Sequence, residues 1–311
     1  MPTSKGAIHL FRFAGIDVFL HWSWFVVALF EISERASHYR SMAWNVAEYL
    51  ALFAIVTLHE FGHSLACRQV GGNADRIVLW PLGGVAYVDP PQRPGATLWS
   101  IAAGPLVNVV LVPVFLGLIL LGRSLGLAET SPDAAACLRA VAFINLGILV
   151  FNLLPVYPLD GGQILRSLLW FVLGRARSLT AASVVGFLGV LALLALALRI
   201  GDAWLGILAA FVAMNCWRGF QHARALARLA RLPRRPGYSC PSCGSAPLLG
   251  PVWTCGRCGE PFDTFETGAT CPSCRAAFGE ALCADCGRES PMGEWLDPRR
   301  AAMRPFGGDT A

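Results

Sequence analysis

Charged residues are scarce in this 311-residue sequence: they make up 14% of it, whereas 55% of the residues are hydrophobic. A soluble globular domain carries about 25% charged residues. The shortage therefore argues against an ordinary soluble enzyme and indicates a membrane protein. It is confined to residues 1–220, because residues 221–311 are rich in Arg, Pro, Gly and Cys. We predict a membrane part followed by a soluble part.

The N-terminus also lacks the short apolar core and the small-residue cleavage site of a signal peptide, so we expect none. A bilayer span needs about 20 mostly apolar residues. Six stretches meet this requirement and are predicted to be transmembrane helices: 16–33, 45–67, 97–121, 135–155, 179–198 and 203–220. Basic residues mark cytoplasmic loops. Fourteen basic residues lie inside and five outside if the N-terminus is cytoplasmic, so we expect both termini in the cytoplasm.

The segment "RIVLWPLGGVAYV" contains two short β-prone runs around Gly83–Gly84, a pattern typical of a hairpin. Non-helical backbone at membrane depth is tolerated only where it is buried in protein or lines a cavity. Residues 77–88 are therefore predicted to form a re-entrant β-hairpin beside a site, with a surface hairpin as the alternative.

Three ionisable residues interrupt the second predicted span, in "AIVTLHEFGHSLACR", residues 54–68. His59 and His63 are four residues apart on one helical face, so both can bind one metal ion. Glu60 points in a neighbouring direction and can take a proton from a metal-bound water. An ionised residue at the centre of a membrane helix costs about 2.5–3.5 kcal/mol, so it marks a functional site. This motif predicts a zinc centre.

A catalytic zinc usually has three protein ligands, and Asp160 is the candidate for the third. It lies in "FNLLPVYPLDGGQILR", after two prolines and before two glycines that permit close backbone approach. The second and fourth predicted spans both run towards the cytoplasm, so His59, His63 and Asp160 are expected on the same side. The alternative for Asp160 is a capping or turn residue.

The motifs "HEFGH", "AGPLVN" (residues 103–108) and "NLLPVYPLDG" occur in three successive spans. In this order and spacing the chain resembles the site-2 protease family of intramembrane zinc metalloproteases, over nearly all of residues 10–220. It is similar to the minimal bacterial branch, since no large domain separates the motifs. The resemblance implies an integral protein of the bacterial inner membrane.

The same resemblance implies residue roles. His59, His63 and Asp160 would bind the catalytic zinc, and Glu60 would be the general base. Asn152 would position substrate or stabilise the oxyanion, although an intramembrane Asn can instead bond neighbouring helices. The last residue of "AGPLVN", Asn108, and Gly104 within it are expected to serve close packing. The hairpin would pair with an unwound substrate by strand addition.

The expected activity is hydrolysis of a peptide bond in or near a transmembrane segment of a membrane protein, with release of a cytoplasmic fragment. Two other classes are weighed against it. A catalytically silent scaffold would bind client helices in the bilayer and recruit partners, but it would not need Glu60. A metal transporter would need polar residues along several spans, and the sequence has no such chain.

Residues 221–237 are predicted to be a basic juxtamembrane linker. The stretch "WRGFQHARALARLARLPRRP" carries six arginines and no acidic residue. Such a helix is expected to lie on anionic lipid, where each charge contributes about 1 kcal/mol.

Residues 238–290 contain four Cys-x-x-Cys pairs, which are typical of two structural zinc sites of four cysteines each. We expect a double zinc ribbon, with sequential pairing as one option and another pairing left open. The predicted ligands are Cys240, Cys243, Cys255, Cys258, Cys271, Cys274, Cys283 and Cys286. The chain would thus hold one catalytic and two structural Zn²⁺ ions.

The cysteine-rich region is acidic: residues 238–295 contain three arginines, no lysine and seven acidic residues. A phosphate binder would be basic, so no nucleic acid is expected. A cytoplasmic protein partner is the expected ligand of the ribbons. Residues 291–311 are predicted to be a flexible tail.

Overall fold

The computed structural model describes residues 6–34, 39–80, 83–157, 159–201 and 203–295. Contacts divide the chain into two compact units, Met1–Ala223 and Arg224–Ala311. Each unit is described by itself below.

The helices occupy most of the described chain. They are α1 Ser23–Glu34, α2 Met42–Gln69, α3 Pro94–Ser124, α4 Leu127–Thr130, α5 Pro132–Leu153, α6 Asp160–Leu173, α7 Arg175–Ile200 and α8 Ala203–Leu229. Within the described residues, four helices are long and apolar enough to cross a membrane, namely α2, α3, α5 and α7. These four correspond to the predicted spans at 45–67, 97–121, 135–155 and 179–198.

The prediction of six spans is not confirmed, and the first predicted span is wrong. Residues 16–33 do not form one helix, because Ile16–His21 is a β-strand and α1 has only 12 residues. At 1.5 Å per residue, α1 reaches about 18 Å, short of the bilayer core. Ile16, Val18 and Leu20 are buried on one face of the strand, so this apolar run follows the two-residue period of a strand. The last predicted span falls within α8, which is not among the four.

A four-stranded sheet lies beside α2. Its strands are β1 Ala7–Phe13, β2 Ile16–His21, β3 Asn73–Trp80 and β4 Gly83–Asp89, in the order β1-β2-β3-β4. The β2–β3 pair is parallel, and the two outer pairs are antiparallel. Ile77 and Leu79 of β3 pack with Phe61 of α2 in one core cluster. The sheet is thereby held at the level of the His59–His63 motif.

The predicted hairpin at 77–88 is present as the β3–β4 pair, but its glycines are placed differently. Trp80 pairs with Gly83, and Gly84 pairs with Leu79, so both glycines belong to β4 and not to the turn. Entry of this hairpin into the membrane stays a prediction.

The second unit contains two short strand pairs. These are β5 Trp253–Thr254 with β6 Pro261–Phe262, and β7 Glu280–Leu282 with β8 Glu289–Pro291, followed by a 3₁₀ helix at Met292–Trp295. Trp295 is fully buried in a cluster with Phe265 and Ala281. Its carbonyl accepts a hydrogen bond from Ser239 N–H at 2.8 Å.

This burial corrects the predicted start of the flexible tail. Residues 291–295 belong to the folded unit, because Trp295 supplies the largest side chain of its core. Residues 296–311 lie outside the described residues.

Candidate metal centres

The first centre is built from α2 and the start of α6. His59 and His63 lie one turn apart on α2, and Asp160 is the first residue of α6. His59 Nε2 lies 3.0 Å from Asp160 Oδ2 and 3.1 Å from His63 Nε2. His63 Nε2 lies 3.4 Å from Asp160 Oδ2. Two ligands of one tetrahedral zinc lie about 3.3 Å apart, so this spacing fits a zinc ion.

The outer nitrogens of both histidines have hydrogen-bond partners that leave the inner nitrogens free. His63 Nδ1 lies 2.9 Å from the carbonyl oxygen of Ser100, which can only accept, so Nδ1 carries the proton. His59 Nδ1 lies 2.6 Å from Asn108 Oδ1 and likewise donates. Both Nε2 lone pairs then face the partly buried Asp160 carboxylate, and a divalent cation would satisfy these three acceptors.

Gly104 of α3 makes room for this centre. A Cβ atom at Gly104 would collide with His63 Nε2 and would lie 2.8 Å from His59 Nε2. The expectation that Gly104 serves close packing therefore agrees with the structure, and the atoms packed against it are the inner nitrogens. The expectation for Asn108 is corrected, because its side chain bonds His59 directly.

The two glycines after Asp160 fix the start of α6. A Cβ at Gly161 would collide with the carbonyl oxygen of Leu153, and one at Gly162 would collide with the backbone of Tyr157. The turn from α5 into α6 can close this tightly only with glycine at both positions. The tight turn delivers Asp160 to the histidines.

Glu60 is fixed by strand β4. Its Oε2 accepts a hydrogen bond of 2.9 Å from Ala86 N–H, and its side chain packs where Gly84 has no Cβ. Glu60 is 6% exposed. The strand thus orients the carboxylate next to the histidine pair and leaves no space for a side chain at Gly84.

Asn152 lies in the last turn of α5 and is partly buried. In the part of the chain that the structure describes, it makes no hydrogen bond with His59, His63 or Asp160. Its proposed contact with substrate stays a prediction.

The eight cysteines form two separate groups in the second unit. The outer group is Cys240, Cys243, Cys283 and Cys286, and the inner group is Cys255, Cys258, Cys271 and Cys274. Each Cys-x-x-Cys pair is called a knuckle here, and the four knuckles are numbered along the chain. The first shares a group with the fourth and the second with the third, so the sequential option is wrong.

The sulfur spacing fits tetrahedral zinc in both groups. Cys240 and Cys286 have their Sγ atoms 3.8 Å apart, and Cys258 and Cys271 have theirs 3.6 Å apart. Two thiolates on one zinc, each at about 2.3 Å, lie about 3.8 Å from each other. In the inner group, the backbone N–H groups of Cys258 and Arg257 lower the pKa of the Cys255 thiol to about 6, which favours the thiolate form.

All four knuckles share one backbone pattern. The first cysteine donates its N–H to the carbonyl five residues later, and its own carbonyl accepts from the residue after the second cysteine. That following residue has positive φ in each knuckle: Gly244, Gly259, Arg275 and Gly287. Arg275, at φ 56°, stands where the other three knuckles have glycine.

Two arginines of the predicted linker are bound within the second unit. Arg234 Nη2 donates to Asp285 Oδ1 at 3.0 Å, and Arg234 Nη1 donates to the Ala246 carbonyl at 2.7 Å. Arg235 donates to the buried Asp263 carboxylate at 2.6 Å. The expectation that the whole basic stretch lies on lipid is thereby corrected for Arg234 and Arg235.

Sequence reasoning missed Ser100, which bonds His63, and Asn145, which bonds Asn108, and it gave Asn108 only a packing role. The available signal was a polar side chain within an apolar helix, which is costly unless it has a partner. It could not show which histidine the partner would be.

The chain belongs to the M50 peptidase family, the site-2 protease family. The family profile matches residues 47–130 and 127–196. A zinc metalloprotease of Methanocaldococcus jannaschii is 34% identical over 180 residues, which are 58% of this chain and 50% of that protein. Stage IV sporulation protein FB of Bacillus subtilis is 35% identical over 118 residues, covering 37% of this chain and 38% of that protein.

A solved structure agrees with this assignment. The site-2 protease from Methanocaldococcus jannaschii matches with a TM-score of 0.51 and 28% identity, over 69% of this chain and 95% of that one. This chain spans about half the length of the curated relatives that it matches.

Proposed function

We propose that this protein is an intramembrane zinc endopeptidase that cuts a membrane protein in or near a transmembrane segment. One observation carries the proposal: His59 and His63, next to Glu60 on a helix apolar and long enough to cross a membrane, meet Asp160 of α6 in one candidate metal site. A hydrolytic centre on such a helix reaches substrate most directly from the bilayer. The chain would hold three zinc ions, one there and one in each cysteine group.

The residues of the centre would have different roles in peptide hydrolysis. Zinc bound by His59, His63 and Asp160 would supply a Lewis acid that polarises a peptide carbonyl and makes water a better nucleophile. Glu60 is held through Oε2 by Ala86 N–H. Its Oε1 accepts the proton of the attacking water and returns it to the leaving nitrogen. Asn152 would position the substrate carbonyl.

The substrate would have to unwind locally, because an intact helix hides its carbonyls in internal hydrogen bonds. Strand β4 lies at an edge of the described sheet, and its Ala86 contacts Glu60. An extended substrate segment paired along this edge would have its backbone beside the general base.

The proposed location is the bacterial inner membrane, with both termini in the cytoplasm and cleavage releasing a cytoplasmic fragment. The acidic ribbons would recruit a cytoplasmic protein and not nucleic acid. Regulation of cleavage through that partner is part of the proposal.

The test compares the membrane proteomes of host cells carrying wild type, Glu60→Gln or Glu129→Gln. Glu60→Gln keeps the shape of the side chain but removes its basicity, so one or a few single-span proteins or membrane stubs should accumulate. Glu129 is exposed on α4, so Glu129→Gln should match the wild type.

Unchanged membrane proteins in Glu60→Gln cells, together with a phenotype from deletion of residues 238–295, would contradict a protease. That combination would support a scaffold that works through its ribbons. Zinc flux into proteoliposomes would support a transporter instead.

A further inference from the structure

A chain of hydrogen bonds runs from α5 through α3 to the first metal centre. Its first member is Asn145 of α5, whose Nδ2 donates to the backbone carbonyl of Asn108 at 3.1 Å. A carbonyl oxygen can only accept, so this bond fixes which end of the Asn145 amide is which. The Oδ1 atom of Asn145 must then face away from that carbonyl.

The orientation of Asn145 determines the orientation of Asn108. Asn145 Oδ1 lies 2.8 Å from Asn108 Nδ2, which donates to it. Asn108 Oδ1 therefore faces His59 Nδ1 at 2.6 Å and must accept a proton from it. His59 is thereby set as the tautomer with its proton on Nδ1 and a lone pair on Nε2.

The three residues have little access to water that could replace these bonds. Asn108 and Asn145 are 0% exposed, and His59 is 4% exposed. A rotated Asn108 amide would place a donor against His59 Nδ1 and would favour the proton on Nε2. That tautomer cannot bind a metal through Nε2. His63 needs no such chain, because the Ser100 carbonyl sets its tautomer directly.

We propose that Asn108 and Asn145 are positioning residues that set the tautomer of His59 and thereby strengthen metal binding at the first centre. The proposal rests on the proposed function, since it assumes zinc at His59, His63 and Asp160. Asn108 acts on His59 by direct contact, and Asn145 acts through Asn108. Asn145 bonds Asn108 and not His59, so an effect of Asn145 on zinc binding distinguishes the proposal from local packing around His59.

The test measures zinc affinity of the full chain in detergent, dialysed against a series of zinc buffers and analysed for zinc per chain. The two cysteine groups serve as the internal reference. Loss of a partner next to a ligating histidine weakens metal binding about 10–100-fold. Asn108→Leu should therefore weaken zinc binding at the first centre about 10–100-fold, and Asn145→Leu should weaken it about tenfold. Asn108→Asp keeps an acceptor beside His59 Nδ1 and should bind zinc close to the wild-type affinity.

Asn215→Leu is the matched control, because Asn215 on α8 bonds only the carbonyl of Phe211 in its own helix among the contacts described. A second readout is the ¹⁵N spectrum of histidine-labelled protein at zinc concentrations that leave the first centre empty. Asn145→Leu should move the proton of His59 from Nδ1 towards Nε2, which a merely structural role would not do.

The outcomes separate the two proposals. A wild type that never binds more than two zinc ions would overturn the proposed function. A wild type with three zinc ions, together with unchanged affinity and His59 tautomer in Asn145→Leu, would overturn the positioning role alone. Retention of both cysteine-bound zinc ions in each variant shows that the second unit has folded and that the zinc count is reliable.

Discussion

Gly104 shows how closely a single residue limits the first centre. The Nε2 atoms of His59 and His63 lie against the position that a Cβ atom would take at residue 104. Substitution at this position should affect metal binding more than the stability of α3, because alanine is the better helix former by about 1 kcal/mol.

We expect Gly104→Ala to lose the first zinc and peptidase activity while keeping the two cysteine-bound zinc ions. The added methyl would collide with His63 Nε2. Elemental analysis of the purified chain measures this directly. The control is Gly117→Ala on the same helix, where nothing lies within 4 Å of the added atom. Three zinc ions in Gly104→Ala would contradict the geometry.

Much of the first centre could be predicted at the scale of residues. The four-residue spacing of His59 and His63 is a property of any helix, and Asp160 was identifiable from its glycines. The contact of Asn108 with His59 was not predictable, because it depends on how α3 is rotated against α2. The same holds for Asn145, whose partner lies 37 residues away along the chain.

At the scale of elements, the four-stranded sheet differs most from the prediction, which included only its β3–β4 hairpin. The run Ile16–His21 is mostly apolar, but it forms strand β2, in which Ile16, Val18 and Leu20 are buried on one face. Its parallel partner β3 lies far along the chain. Pairing between distant strands leaves little local trace in sequence. The four long helices, by contrast, follow from apolar length alone.

The third zinc knuckle contains a strained residue. Arg275 has φ 56°, where non-glycine residues cost about 1–2 kcal/mol. Arg275→Gly should stabilise the inner zinc site by about 0.5–1 kcal/mol, after the greater chain entropy of glycine is subtracted. The measurement is the chelator concentration that removes the inner zinc. Arg257→Gly, at a position without positive φ, should not stabilise the site, and equal effects of both variants would refute the explanation.

The pairing of the knuckles predicts a count of zinc ions. Cys240 and Cys286 belong to one group, so the double variant Cys240→Ser/Cys286→Ser should lose one zinc of three. Cys240 and Cys255 belong to different groups, so Cys240→Ser/Cys255→Ser should lose two. Sequential pairing would give the reverse result, because Cys240 and Cys255 would then share a zinc.

At the scale of the whole molecule, the cysteine-rich unit combines two groups of four cysteines with two small apolar clusters. Its pairing of first with fourth knuckle joins the two ends of the unit, which sequence spacing alone could not decide. Arg234 and Arg235 are held within that unit by their bonds to Asp285 and Asp263. The linker predicted at 221–237 is therefore partly structural.

The most direct test of the account is cleavage by the purified protein in lipid vesicles. The substrate is a membrane protein that accumulates in Glu60→Gln cells, and mass spectrometry locates the cut. The account predicts a cut in or near the transmembrane segment that requires zinc, occurs with wild type and Glu129→Gln, and is absent with Glu60→Gln. Equal cleavage by Glu60→Gln, or a cut far from the transmembrane segment, would contradict an intramembrane peptidase centred on His59, His63 and Asp160.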